Sequence, residues 1–161
     1  MTLRIITTGG TIDKVYFDAK SSYEIGDPMV TDILDEGLAT VLHTVQSILK
    51  KDSLELTDED RQLIYDAVLA APERHIVITH GTDTMPITAL KLKSIVDKTI
   101  VLTGAMAPAR FRRTDAIFNI GCAVAAAQAL PAGVYITMNG RLFEAGKVRK
   151  NLDLGRFEAT E

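Results

Sequence analysis

Two short, uninterrupted apolar runs, His75-Ile76-Val77-Ile78-Thr79 and Thr99-Ile100-Val101-Leu102-Thr103, stand a helix-length segment apart. A strand that is apolar at every position must be covered on both faces, as in a parallel sheet with helices on each side. The rest of the chain fits that frame. Leu3 to Thr8 is short and β-branched and stops at Gly9-Gly10, and Val41 to Leu49 and Gly133 to Met138 also read as strands. Thr57 to Ala71 reads as a helix. Thr57 suits its N-cap, acids fill its first turn, Leu63, Ile64, Ala67, Val68 and Ala71 recur at helical spacing, and Pro72 stops it. Further helices are expected from Pro28 over Val30 to Glu36, over Pro86 to Ile95, and from a Thr114 cap to about Leu130 with Ile117, Ile120, Val124 and Ala127 on one face. Asn139-Gly140 is a two-residue hairpin signal, with Arg141 to Lys147 as the returning strand. Asp13 to Gly26 has no period and reads as a long loop, a class usually tied to function. The alternation predicts an α/β fold of three layers, a mostly parallel, Rossmann-like sheet with helices on both faces and a C-terminal β-hairpin.

At 161 residues the chain is expected to form one domain spanning 1–161. Its formal charge of −3 and its lack of a basic block argue against nucleic-acid binding through phosphates. Cys122, among Gly121, Ala123 and Val124, is expected to be buried and inert. No charged leader with an apolar h-region opens the sequence, and its apolar stretches are shorter than the ~20 residues that span a bilayer. The expectation is a cytoplasmic protein with no membrane partner.

Loops at the C-terminal ends of parallel strands meet at one edge of the sheet, where α/β proteins bind ligands. Here they are Thr8-Gly9-Gly10-Thr11-Ile12, Thr79-His80-Gly81-Thr82-Asp83-Thr84 and Thr103-Gly104-Ala105-Met106-Ala107-Pro108. None carries a nucleotide-phosphate fingerprint, and His43, His75 and His80 lack metal-ligand spacing, so neither cofactor nor metal is expected. Hydroxyl chemistry is left. The glycines before Thr11 admit a close approach to the backbone. A threonine hydroxyl becomes a useful nucleophile only when a neighbour takes its proton. Tyr23 and Lys150 are both candidates, with Asp83 to hold Lys150, and the N–H groups of Thr11 and Thr82 can form an oxyanion hole. Taken singly, each residue has an ordinary role: Thr11, Thr82 and Asp83 as caps or turns, Tyr23 and Lys150 as surface groups, Ser53 as a loop hydroxyl. His80 reads as a turn residue outside any proton transfer. Arg110, Arg112 and Arg113 read as a solvated face or a subunit contact.

Taken together, these residues resemble the bacterial-type (class 1) L-asparaginases. That family's two signature motifs are Thr-bearing loops like Thr8-Gly9-Gly10-Thr11-Ile12 and His80-Gly81-Thr82-Asp83-Thr84-Met85, in this order. Tyr23 within Ser22-Tyr23-Glu24-Ile25-Gly26, Gly104-Ala105-Met106 followed by Pro108, and Lys150-Asn151 match as well. The resemblance implies a catalytic set of Thr11 as nucleophile, Tyr23 as its partner on a flexible lid, and Thr82, Asp83 and Lys150 as a cluster that relays a proton and positions water. It implies a substrate-binding set of Gly10, Ser53, Glu55, Gly81, Thr82, Asp83 and Ala105. Ser53 would hold the α-carboxylate, and Asp83, with Glu55, the α-amino group. Leu54 stands where the family often has Gln. The chain matches the family's N-terminal catalytic domain, and the usual C-terminal domain is expected to be absent.

The activity so implied is hydrolysis of L-asparagine to L-aspartate and ammonia through a threonine acyl-enzyme, in a homodimer or higher homo-oligomer. Two alternatives stand beside it: a non-catalytic amino-acid-binding module, and an ammonia-releasing component of a larger assembly.

Overall fold

The computed structural model describes residues 1–161. Its strands are β1 (Leu3–Gly9), β2 (Lys14–Phe17), β3 (Ser22–Ile25), β4 (His43–Lys51), β5 (His75–Thr79), β6 (Thr99–Thr103), β7 (Gly133–Met138), β8 (Arg141–Glu144), β9 (Val148–Asn151) and β10 (Arg156–Ala159). The helices are α1 (Val30–Glu36), α2 (Asp58–Ala70), α3 (Met85–Leu92) and α4 (Ala116–Ala129). No helix is long and apolar enough to cross a membrane.

A six-stranded sheet runs in the order β4-β1-β5-β6-β7-β8. All its pairings are parallel except β7 with β8. Both of its faces are apolar, as the uninterrupted strand runs require. On one face Ile6, Ile78, Ile100 and Leu102 pack with Ile64 and Val68 of α2 and Met85 and Leu92 of α3. On the other, Ile5, Val77 and Val101 pack with Ile33 of α1 and Ile120 and Ala123 of α4. The three-layer reading therefore holds. From β1 the chain leaves through α1 to β4 on one side, then returns through α2 to β5 on the other. The direction of winding reverses at β1, and it is at such a reversal that α/β sheets hold their ligand crevice, here above the β1 and β5 ends. Thr7 is level with Thr79, and Thr79 with Thr103, so the three loops start from one height.

Several local readings are corrected. Residues 13–26 form a hairpin of β2 and β3, not an irregular loop: Val15 faces Glu24, Tyr16 faces Tyr23, and Ser21 turns in the left-handed region. Mixed polar and aromatic positions hid its alternation because neither side of this ribbon lies in the core. The α2 cap holds, with Asp60 N donating to Thr57 Oγ1 and Thr57 N to Asp60 Oδ2. Leu63, however, is exposed, while Arg61 is buried and donates to Thr88 Oγ1 and Leu56 O. On α4 the buried positions are Ala116, Asn119, Ile120, Ala123 and Ala127, and Ile117 faces outward. Thr114 precedes this helix: its Oγ1 accepts from Ala116 N and donates to Ala107 O. Cys122 is half-buried rather than buried. Helix α3 ends at Leu92, before Ile95. The returning strand ends at Glu144, and a second hairpin, β9 and β10, follows.

Candidate functional site

The crevice is built by backbones that nearly touch. Gly10 has φ +87°, and a Cβ placed on it would lie 2.5 Å from Gly81 N. The loop after β1 and the loop after β5 therefore meet backbone to backbone. On the far side of Gly81 stands Ser53, whose Oγ is 2.8 Å from where a Gly81 Cβ would be. Thr84 locks this arrangement, its Oγ1 donating to Ser53 O at 2.8 Å and its N–H to Ser53 Oγ at 3.3 Å. Ser53 is buried, and its hydroxyl, having accepted from Thr84 N, keeps its proton to donate.

Lys150, carried in by β9, reaches the same loop. Its Nζ donates to Thr82 Oγ1 at 2.8 Å and to Asp83 Oδ1 at 2.6 Å. Thr82 is buried, and the Lys150 side chain is only 14% exposed, so the cluster is shielded from bulk water without being sealed from it. The second hairpin, which the sequence did not suggest, is what brings in the lysine.

Thr11 and Tyr23 line one cleft of about 360 Å³ with Lys14, Met106, Pro108 and Phe111. Thr11 is half-buried on the short 3₁₀ turn after Gly10. Tyr23 is half-exposed, and its ring meets Tyr16 and Phe111 edge-on, with centroids 5.3 and 5.8 Å apart. Ala105 is buried in the same apolar cluster as Ile12 and Val101. Glu55 is exposed on the turn Ser53–Glu55, and Leu54 beside it is exposed too. The candidates thus gather into three groups, Gly10–Gly81–Ser53, Thr82–Asp83–Lys150 and Thr11–Tyr23, while Glu55 stands apart.

Three polar groups shape the loops: His80, which the sequence makes only a turn residue, and Asp115 and Asp13, which escaped the sequence reading of the site. His80 is fully buried, and Nδ1 lies 2.6 Å from Gly81 O while Nε2 lies 2.8 Å from Thr88 Oγ1. A carbonyl only accepts, so Nδ1 carries the proton. Burial holds the imidazole down at about 4, so the ring is neutral and Nε2 accepts from Thr88. Asp115 anchors the third loop, its carboxylate accepting from Met106 N, Ala107 N, Asn119 Nδ2 and Asn139 Nδ2. Burial pushes this carboxyl up, but those donors outweigh it and hold it below its usual range. Asp13 is buried behind Ile12, with Oδ1 accepting from Met29 N at 2.9 Å. Burial raises its carboxyl to about 6, against the pull of the Met29 N–H and of Arg110. The one signal available in advance was an acid or imidazole within two residues of a Thr-bearing turn.

Residues 2–158 match the family model for the N-terminal region of asparaginase. A glutaminase-asparaginase of Acinetobacter glutaminasificans is 33% identical over 93% of this chain and 50% of its own length. A glutamyl-tRNA(Gln) amidotransferase component from Methanococcus maripaludis is 32% identical over 92% of this chain and 39% of its own. Among solved structures, the thermostable L-asparaginase of Thermococcus kodakarensis superposes with a TM-score of 0.85 at 29% identity, over 99% of this chain and 51% of that one. The chain thus spans about half the length of the relatives it matches, or less.

Proposed function

This chain belongs to the asparaginase family, and we propose that it is an amidohydrolase that converts L-asparagine to L-aspartate and ammonia. The observation that carries the proposal is Lys150 bridging Thr82 and Asp83 on a loop packed against the Thr11 loop at Gly10. In this reading Thr11 Oγ attacks the side-chain amide carbon, and Tyr23 accepts its proton. The N–H groups of Thr11 and Thr82 take the oxyanion. Tyr23 passes that proton on to the amide nitrogen, which leaves as ammonia, and a water oriented by Thr82, Lys150 and Asp83 then adds its oxygen to the β-aspartyl carbon while its proton returns to Thr11 Oγ. Ser53 donates its spare proton to the α-carboxylate. Asp83 Oδ2, left over from the Lys150 pair, meets the α-amino group, with Glu55 within the same turn as Ser53.

A second reading keeps the reaction and exchanges the hydroxyls. Thr82 is the threonine with a lysine at 2.8 Å, which favours it as the activated nucleophile. A third keeps ammonia release but delivers it to a synthetase, and the similarity to an amidotransferase component supports it.

Ammonia release from the purified chain with L-asparagine tests the common core of these readings. A bound but unconverted substrate would instead point to the amino-acid-binding module. An electrophilic asparagine analogue should add its mass to a peptide containing Thr11, and Thr11→Ala should abolish turnover with the fold intact. An adduct on Thr82 selects the second reading, and a synthetase that co-purifies selects the third. We further propose a cytoplasmic homodimer or higher homo-oligomer. Exposed Ile117, Phe118 and Leu142 near the α4–β8 groove supply an apolar face for it, and light scattering that finds only monomer overturns it.

A further inference from the structure

The basic run at 110–113 divides in the folded chain. Arg110, Arg112 and Arg113 are all exposed, but Arg110 also closes the root of the β2–β3 hairpin. Its Nη1 donates to Asp13 O at 2.9 Å and its Nη2 to Asp27 O at 3.1 Å, so one guanidinium ties the residue before β2 to the segment after β3. The same root holds Gly26 N donating to Asp13 O at 2.7 Å and Ala109 N donating to Ile12 O at 3.0 Å. One residue beyond Arg110, Phe111 supports the Tyr23 ring edge-on.

The hairpin needs such a fastening. It is a separate two-stranded sheet, and Tyr16, Phe17 and Tyr23 are all partly open to water. A lone two-stranded ribbon is marginal at best, so its place over the cleft depends on contacts at its base. A planar guanidinium can serve two diverging carbonyls at once, whereas a lysine offers one compact donor group.

We propose that Arg110 is a positioning residue that fixes the hairpin, and with it Tyr23, over the cleft lined by Thr11. The role of Tyr23 rests on the amidohydrolase reading above, but the fastening itself does not. Lys20 at the hairpin tip has a 65% exposed side chain, which makes the Lys20–Ser21 bond a tryptic reporter of hairpin release. In folded Arg110→Met, trypsin should cut that bond about tenfold faster than in the parent, as expected for the loss of two hydrogen bonds. Its kcat for ammonia release should fall about 10–100-fold, because small misplacements of a reacting group are costly, with KM changed little. Arg110→Lys should fall between the two, and it decides the question if Arg110→Met does not fold. Cutting within twofold of the parent, or faster cutting with kcat unchanged, overturns the proposal. A parent that releases no ammonia refutes the amidohydrolase reading, and the Lys20–Ser21 rate still judges the fastening.

Discussion

Lys150 makes two short contacts and has little room to make others, so its removal separates binding from chemistry. Lys150→Met should lower kcat by about 10²–10⁴-fold, as for a lost proton-transfer group, while KM moves by a few-fold. Steady-state kinetics check this, and a rise in KM at constant kcat would make Lys150 a substrate anchor. Asp13 gives a prediction of the opposite kind, in stability. Its carboxyl rises from the ordinary 3.8 to about 6 on folding, so between those values the native protein holds a proton the unfolded chain has released. Stability from this group is therefore greatest below pH 4, declines through pH 6 and is flat above, a total of about 2–3 kcal/mol. Asp13→Asn keeps the acceptor for Met29 N–H and carries no charge. In urea titrations it should exceed the parent by about 2–3 kcal/mol at pH 7.5, and the two should converge near pH 4. A constant gap would show that Asp13 ionises normally.

Among the elements, the loop after β6 depends on the start of α4. Asp115→Ala leaves Met106 N and Ala107 N without their acceptor and frees Asn119 and Asn139. It should cost about 2–4 kcal/mol in urea, since hydrogen bonds to a charged group are the stronger ones. A loss under about 0.5 kcal/mol, as for an ordinary surface change, would deny Asp115 this role. The central strands were legible because burial on both faces leaves uninterrupted apolar runs, as at Ile76–Ile78 and Ile100–Leu102. Thr57 announced α2 because a cap is a local bond. The β2–β3 hairpin was not legible, since its pairing answers to no core. Nor was the outward turn of Ile117, where Asn119 takes the buried place because Gly104 O and Asp115 need its donors. The site candidates lay in loops whose strands could be ordered by pattern, but that Lys150 would meet Thr82 depended on β9, a strand of four residues with little apolar signal.

At the scale of the whole molecule, the sheet is wound outward from its first strand. β1 lies between β4 and β5, and Leu3 and Ile5 are fully buried although Met1 just before them is exposed. The pairing of Ile5 with Val77 spans most of the first half of the chain. Closing so long a loop carries an entropic cost that local helices do not share. A nascent chain leaving the ribosome therefore presents its first strand long before either neighbour exists to receive it. Pulsed hydrogen exchange during refolding should find the amides of Ile5 and Ile6 protected no earlier than those of Val77 and Ile78. Earlier protection would mean that β1 docks on some other surface first. If the order holds, the glycine turn that β1 delivers to the crevice is fixed only once β5 stands beside it, and a chain that stops short of β5 leaves that turn without its seat.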